Sequence, residues 1–100
     1  MHYIFDWDPR KESTNIRKHE VSFRLATTIF RDKNQLSLFD IEHSDQDDRW
    51  ITLGIDQNGT LRVVVHTFEH LSESSCRIRI ISARKATENE TDQYNSGDVL

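Results

Sequence analysis

The residues best suited to chemistry lie between Cys76 and Ala86, read Cys-Arg-Ile-Arg-Ile-Ile-Ser-Ala-Arg-Lys-Ala. The cations Arg77, Arg79, Arg84 and Lys85 fall here without a carboxylate, in a chain of formal net charge −4. The first half alternates, which predicts a strand with Arg77, Arg79 and Ile81 on one face and Cys76, Ile78, Ile80 and Ser82 on the other. Arg77 and Arg79 then leave one face roughly 6.6 Å apart along the strand. From Ser82 the period changes. Ser82 as a cap, with Ala83, Ala86, Glu90 and Tyr94 at helical spacing, predicts a helix over about 83–94. Arg84 and Lys85 would sit at its N-terminus, where free backbone N–H groups add to anion affinity.

Planar, forked guanidinium donors suit a phosphodiester. RNA carries its own nucleophile, the 2′-hydroxyl. A protein that cleaves it must orient that group, neutralise the phosphate charge that builds in the transition state, and move protons at the attacking and leaving oxygens. His66 lies on the strand expected to pair with this stretch and is the candidate acid or base. Asp48 and Arg49 open the next strand over. Arg79, His66, Arg49 and Asp48 thus form a candidate catalytic set, with Arg77, Arg84 and Lys85 as RNA-binding cations. Exposed charges are usually only solvated, and the acidic loop before Arg49 offers these arginines partners, so the residues alone leave both readings open.

Other chemistries find less support. His43, His66 and His70, with Asp45, Asp47 and Asp48, show no spacing that specifies a metal site: there is no His-Glu-x-x-His and no paired cysteine. No nucleophile elbow is present. The glycines, Gly54, Gly59 and Gly97, make no phosphate loop. No cofactor or metal is expected. The single cysteine, Cys76, excludes an internal disulfide, fits a reducing compartment and reads as a small strand residue.

The elements that must position these groups fit one domain over residues 1–95, with a frayed tail at 96–100. Of the 100 residues, 35% are apolar and 30% charged, so the core is thin. The acidic balance argues against binding nucleic acid by bulk charge, but the charges are segregated. Arg10, Lys11, Arg17 and Lys18 make the first helix basic; Asp40, Glu42, Asp45, Asp47 and Asp48 make one loop acidic; Glu88, Glu90, Asp92 and Asp98 make the C-terminal end acidic. No apolar run approaches the roughly 18 residues of a membrane span, and the N-terminus has no signal-peptide pattern, so a cytoplasmic location is expected.

In chain order, Tyr3, Phe5 and Trp7 alternate in a short strand. Asp8 and Pro9 start a helix reaching about His19, with Ile16 its only large apolar residue. Ser22 caps a second helix of about nine residues that buries Phe23, Ala26, Ile29 and Phe30. Strands follow over 36–41, 49–55 and 61–69, with a hairpin turn at 56–59 signalled by Asn58-Gly59. A polar loop at 70–75 leads into the arginine-bearing strand. The expected class is α+β: a short N-terminal strand, two helices, a four-stranded antiparallel meander and a C-terminal helix.

These residues also resemble a known family. Phe5-Asp6-Trp7-Asp8-Pro9, Asn15, Lys18-His19, Val21-Ser22-Phe23, and Ala26 with Phe30-Arg31-Asp32 match the opening of the BrnT toxins. His43-Ser44, Asp48-Arg49-Trp50 and Leu53-Gly54 match their middle. Arg79-Ile80-Ile81-Ser82-Ala83-Arg84-Lys85-Ala86-Thr87, with Glu90 and Tyr94, matches their end. The resemblance spans about residues 3–94. It implies a RelE-like fold and a ribonuclease toxin of a bacterial type II toxin–antitoxin module that arrests growth by cleaving RNA without a metal. It also implies neutralisation by a BrnA-like antitoxin, typically two toxins with two antitoxins, the antitoxin alone touching operator DNA. On that reading Arg79 holds the scissile phosphate, Arg49 and Arg77 assist, and His66 acts as acid or base with Asp48 its partner or substitute. Glu20 stands where the family usually has a helix-capping Gly, and Asp48 where it has Glu. A non-catalytic module binding RNA or protein through the same basic surface is the alternative class.

Overall fold

The computed structural model describes residues 1–44 and 47–97. Strand β1 (His2–Trp7) leads into helix α1 (Pro9–His19) and helix α2 (Phe23–Thr27), which tightens into a 3-10 turn over Thr28–Arg31. Strands β2 (Leu36–Phe39), β3 (Arg49–Ile55), β4 (Leu61–Thr67), β5 (Glu69–Ser72) and β6 (Ser75–Lys85) follow, and helix α3 (Glu88–Ser96) closes the described chain. The sheet runs β1-β6-β4-β3-β2, with β5 also paired to β6. The chain is therefore α+β, and the expected meander is its β2-β3-β4-β6 portion.

Local chemistry explains the helices. The Asp8 carboxylate accepts from the Arg10 backbone N–H at 2.8 Å and Pro9 occupies the first turn. α1 ends at Glu20, which adopts the left-handed conformation at φ 56°. Ser22 caps α2 through the Leu25 N–H at 3.1 Å, and Glu12 of α1 accepts from the Phe23 N–H at 2.8 Å. α1 is anchored less by Ile16, which is exposed, than by buried Asn15. The Asn15 side-chain amide pairs with both backbone groups of Ala83, donating at 2.9 Å and accepting at 3.1 Å. It thus takes the place of a neighbouring strand on β6 where β1 has ended.

The core is one cluster: Val21 from the turn between α1 and α2, with Phe23, Ala26 and Ile29 from α2 and its 3-10 extension, against Val64, Cys76, Ile78, Ile80 and Ala83 of the sheet. Each large side chain fully buried here is worth about 1.5–3 kcal/mol. Gly54 lets the 3-10 turn lie on β3, since a Cβ there would sit 2.9 Å from that of Ile29. The Asn58-Gly59 turn forms with Gly59 at φ 87°. Asp56 organises it from inside, accepting from the N–H groups of Asn58 and Thr60 and from Arg62 Nε at 2.9 Å.

Three expectations need correction. β1 pairs parallel with β6, Tyr3 opposite Cys76 through Trp7 opposite Ile80, which makes a six-stranded sheet. The stretch at 70–75 is no simple loop, because β5 forms a hairpin with β6. No helix begins at Ser82: β6 continues to Lys85, and α3 starts at Glu88 with Thr87 as its cap. Arg84 and Lys85 are therefore strand residues. Of the expected acidic loop, Asp45 lies outside the described residues, as do residues 98–100 of the expected tail.

Candidate functional site

β6 alternates as expected up to Ile80: Cys76, Ile78 and Ile80 are buried under the helices, while Arg77 and Arg79 point to the other face and are exposed. Phe23, Ala26 and Ile29 pack on the first of these faces, and the second is uncovered around Arg77 and Arg79. On the uncovered face the parallel pairing sets Asp6 opposite Arg79. The Asp6 carboxylate bridges the two arginines, 3.3 Å from Arg79 Nη1 and 3.7 Å from Arg77 Nε. Glu69 of β5 completes the group at 3.0 Å from Arg77 Nη1. All four side chains remain two-fifths or more exposed, so these are screened pairs that a stronger anion can displace.

The register brings Arg49 into the same row. His66 pairs with Ile80 and Glu69 with Arg77. Interpolating between these two pairs, which share one register, puts Thr67 opposite Arg79. Thr67 in turn pairs with Arg49 of β3. Across the uncovered face the order is thus Asp6, Arg79, Thr67, Arg49. The two guanidinium-bearing strands are separated by one strand, roughly 10 Å apart at the backbone, and long arginine side chains span that gap. Asp48 adjoins Arg49 and is exposed. Asp6, Thr67 and Glu69 escaped selection from the sequence as site residues. Asp6 stood within a recognised motif, but the other two gain meaning only from strand register.

His66 does not join this row. It shares a face with Ile80, is only 3% exposed, and lies edge-on to Phe30 with ring centres 5.0 Å apart. Both ring nitrogens are engaged: Nδ1 with the Thr67 carbonyl at 3.0 Å, Nε2 with Thr52 Oγ1 at 2.7 Å. A carbonyl only accepts, so Nδ1 carries the proton. In the neutral ring Nε2 then accepts from the Thr52 hydroxyl, which accepts in turn from Ser37 Oγ at 2.8 Å. Burial pushes the His66 pKa below its ordinary value, outweighing the carbonyl bond. The expectation that His66, Arg49, Asp48 and Arg79 meet on one sheet face is therefore corrected. His66 instead floors a pit of about 260 Å³ lined by Tyr3, Phe30, Trp50 and Phe68.

Arg84 also has a local duty. Its guanidinium holds the Glu90 carboxylate through two bonds of 2.8 Å. The Arg84 bond, with help from the Thr87 N–H, depresses the Glu90 pKa to about 2. Lys85 is exposed at the strand end, opposite Arg62. No group of three or more His, Cys, Asp or Glu side chains placed to hold a metal occurs among the described residues, nor any helix there long and apolar enough to cross a membrane.

Residues 7–90 match the family described as the ribonuclease toxin, BrnT, of a type II toxin–antitoxin system. The 1.1 Å crystal structure of the Brucella abortus ribonuclease toxin BrnT superimposes with a TM-score of 0.56 at 20% identity, covering 88% of this chain and 100% of that one. That likeness speaks for the fold. No curated protein matches the chain.

Proposed function

Because the chain belongs to the BrnT family of type II toxin–antitoxin ribonuclease toxins, we propose that it is a metal-independent endoribonuclease whose scissile phosphate lies on the uncovered sheet face, between Arg79 and Arg49. The observation that carries this is the strand register, which sets Asp6 opposite Arg79 and Arg49 opposite Thr67 on one sheet face. The phosphate displaces Asp6 from Arg79 and accepts donors from both guanidinium groups, which stabilise the charge that grows as the 2′-hydroxyl attacks. The freed Asp6 carboxylate and Asp48 are then the groups that take and return protons. Arg77 assists from the next position on the same face. His66 supports the sheet beneath and stays neutral.

The toxin acts in the cytoplasm and is neutralised by a BrnA-like antitoxin, two copies of each. The test is incubation of the purified chain with RNA in excess chelator. Cleavage in chelator that disappears in Arg79→Ala supports the reading. Cleavage that needs added divalent metal, or that survives the substitution at full rate, overturns it.

One observation favours a second reading. Arg77 and Arg79 are both already paired in the free chain, as they would be in a module that binds RNA or protein without cutting. Intact RNA with retained binding in the same experiment selects that class.

A further inference from the structure

We propose that the cleft between α1 and β6 is a phosphate-backbone track, holding the stretch of RNA that flanks the scissile phosphate. The inference rests on the ribonuclease reading above and extends it to a surface that reading does not use. β1 stops at Trp7, opposite Ile80. Beyond that point the edge of β6 faces α1, and a cleft of about 360 Å³ opens there. Arg10, Lys11, Lys18 and His19 line it, with Thr14 and Ser82 between them.

Charge pairing separates this cleft from the three arginines of β6. Arg77, Arg79 and Arg84 each face a carboxylate. None of Arg10, Lys11, Lys18 or His19 makes an ion pair among the described residues, and no carboxylate lines the cleft. Of the acids nearest in sequence, Asp8 feels the charges of Arg10 and Lys11 but does not line the cleft. Asp8 caps α1 through the Arg10 backbone N–H, and Glu12 turns to the Phe23 N–H. Glu20 stands past the helix end. In a chain of net charge −4, unpaired cations gathered in one concavity mark a surface built for an anion.

Position and spacing favour a nucleic-acid backbone. Arg10, Thr14 and Lys18 recur every four residues, so they line one face of α1. Arg10 and Lys18 are roughly 12 Å apart along the helix, the length of about three stacked nucleotides at ~3.4 Å each. The floor residues Ile81 and Ser82 lie two and three positions past Arg79 on the same strand, so the cleft begins within roughly 10 Å of that arginine. A strand whose scissile phosphate sits on Arg79 carries its neighbouring phosphates into the cleft.

The probe is a fluorescent RNA 12-mer with 2′-O-methyl groups throughout, which cannot be cut by 2′-hydroxyl attack. Its affinity for the purified chain is read by anisotropy against salt. The variant R10A/K11A/K18A removes exposed side chains only. It lowers the salt slope by about 2 and weakens binding by roughly fifty-fold at 0.15 M salt, as expected for three single-strand phosphate contacts. T14E weakens binding without deleting a cation, and R31A/K33A, on another surface, leaves it within twofold. The proposal is overturned if the triple variant binds the 12-mer within threefold of the parent, or if the parent does not bind it. Unchanged RNA affinity with lost binding of a polyglutamate peptide assigns the cleft to an acidic protein segment instead. Ordinary RNA cut in parallel separates the two claims: continued cleavage with an unaffected 12-mer removes the track but leaves the nuclease.

Discussion

His66 and Arg79 belong to opposite faces of one sheet. His66 pairs with Ile80 on the helix-covered side, and Arg79 pairs with Asp6 on the uncovered side. Two residues one step apart in register thus serve different functions, one closing a hydrogen-bond chain in the interior and the other presenting a guanidinium to an anion.

The two should separate under mutation. Arg79→Ala is expected to cut the rate of RNA cleavage by about 100-fold or more, the usual cost of one lost transition-state donor, with the melting temperature nearly unchanged. His66→Gln should leave cleavage within tenfold. It should cost about 1–3 kcal/mol of stability, because Thr52 and the Thr67 carbonyl lose a buried partner. Cleavage assays and denaturant melts on both variants decide it. A folded His66→Gln protein as inactive as Arg79→Ala would return the histidine to the chemistry.

The buried imidazole also predicts a pH dependence. Its folded pKa lies below its unfolded value near 6.5 because burial disfavours the charged ring. Below that pH the unfolded chain binds the proton first, so this group's contribution is intact above about 6.5 and is lost as pH falls toward the folded value, by at most about 1.4 kcal/mol per pH unit. Melts from pH 7.5 down to 5.5 should show this loss in the parent and a flatter profile in His66→Gln. Equal slopes would show that the ring is not held neutral.

Glu90 carries the corresponding effect in acid. It accepts both Arg84 bonds, and with Thr87 it closes the capping box of α3. Its pKa falls from 4.5 to about 2, so the stability it adds is complete above 4.5 and is lost as pH drops from 4.5 towards 2. Arg84 is partly exposed, so screening limits the pair to roughly 1 kcal/mol. Glu90→Gln should lose that much at pH 7 and unfold with less sensitivity between pH 4.5 and 2. RNA cleavage at pH 7 should persist, because Arg84 lies outside the arginine row.

Local signals were readable where local physics decides. Strand β3 occupies the expected 49–55, the Asn58-Gly59 turn forms, and the nine expected helical residues from Phe23 appear as α2 plus its 3-10 extension. The helix expected from Ser82 shows how a local signal misleads. β4 and β6 fall out of step between Val65 and His66, where Ile81 is the extra residue on β6. Buried positions therefore step from Ile80 to Ala83, a spacing that mimics helical period. The Asn15 amide and the pairing with β4 keep this segment extended, and neither is visible from a local window. Thr87 with Glu90 was the better start signal, since Thr-x-x-Glu is a capping box. The candidate site divided in the same way. Alternation correctly placed Arg77 and Arg79 together. Whether His66 or Thr67 stands opposite them depends on register between distant strands, which alternation within one strand does not specify.

Glu20 offers a last test, because sequence and structure single it out independently. The resemblance drawn from the sequence leads to the expectation of Gly there, and the described residues contain no other non-glycine with positive φ. Its backbone N–H still closes α1 onto the Ile16 carbonyl at 2.8 Å, so the left-handed turn is required by the helix end and not by the side chain. A residue with a Cβ pays roughly 1–2 kcal/mol for that conformation, and Gly does not. Part of the gain from Gly is offset by the greater freedom it gives the unfolded chain. Glu20→Gly should therefore stabilise the protein by up to about 1 kcal/mol, raising the melting temperature by about 4–8 °C at this chain length. Thermal unfolding checks the size of the effect. A lowered melting temperature would mean that the exposed Glu20 side chain makes a stabilising contact large enough to outweigh the backbone strain.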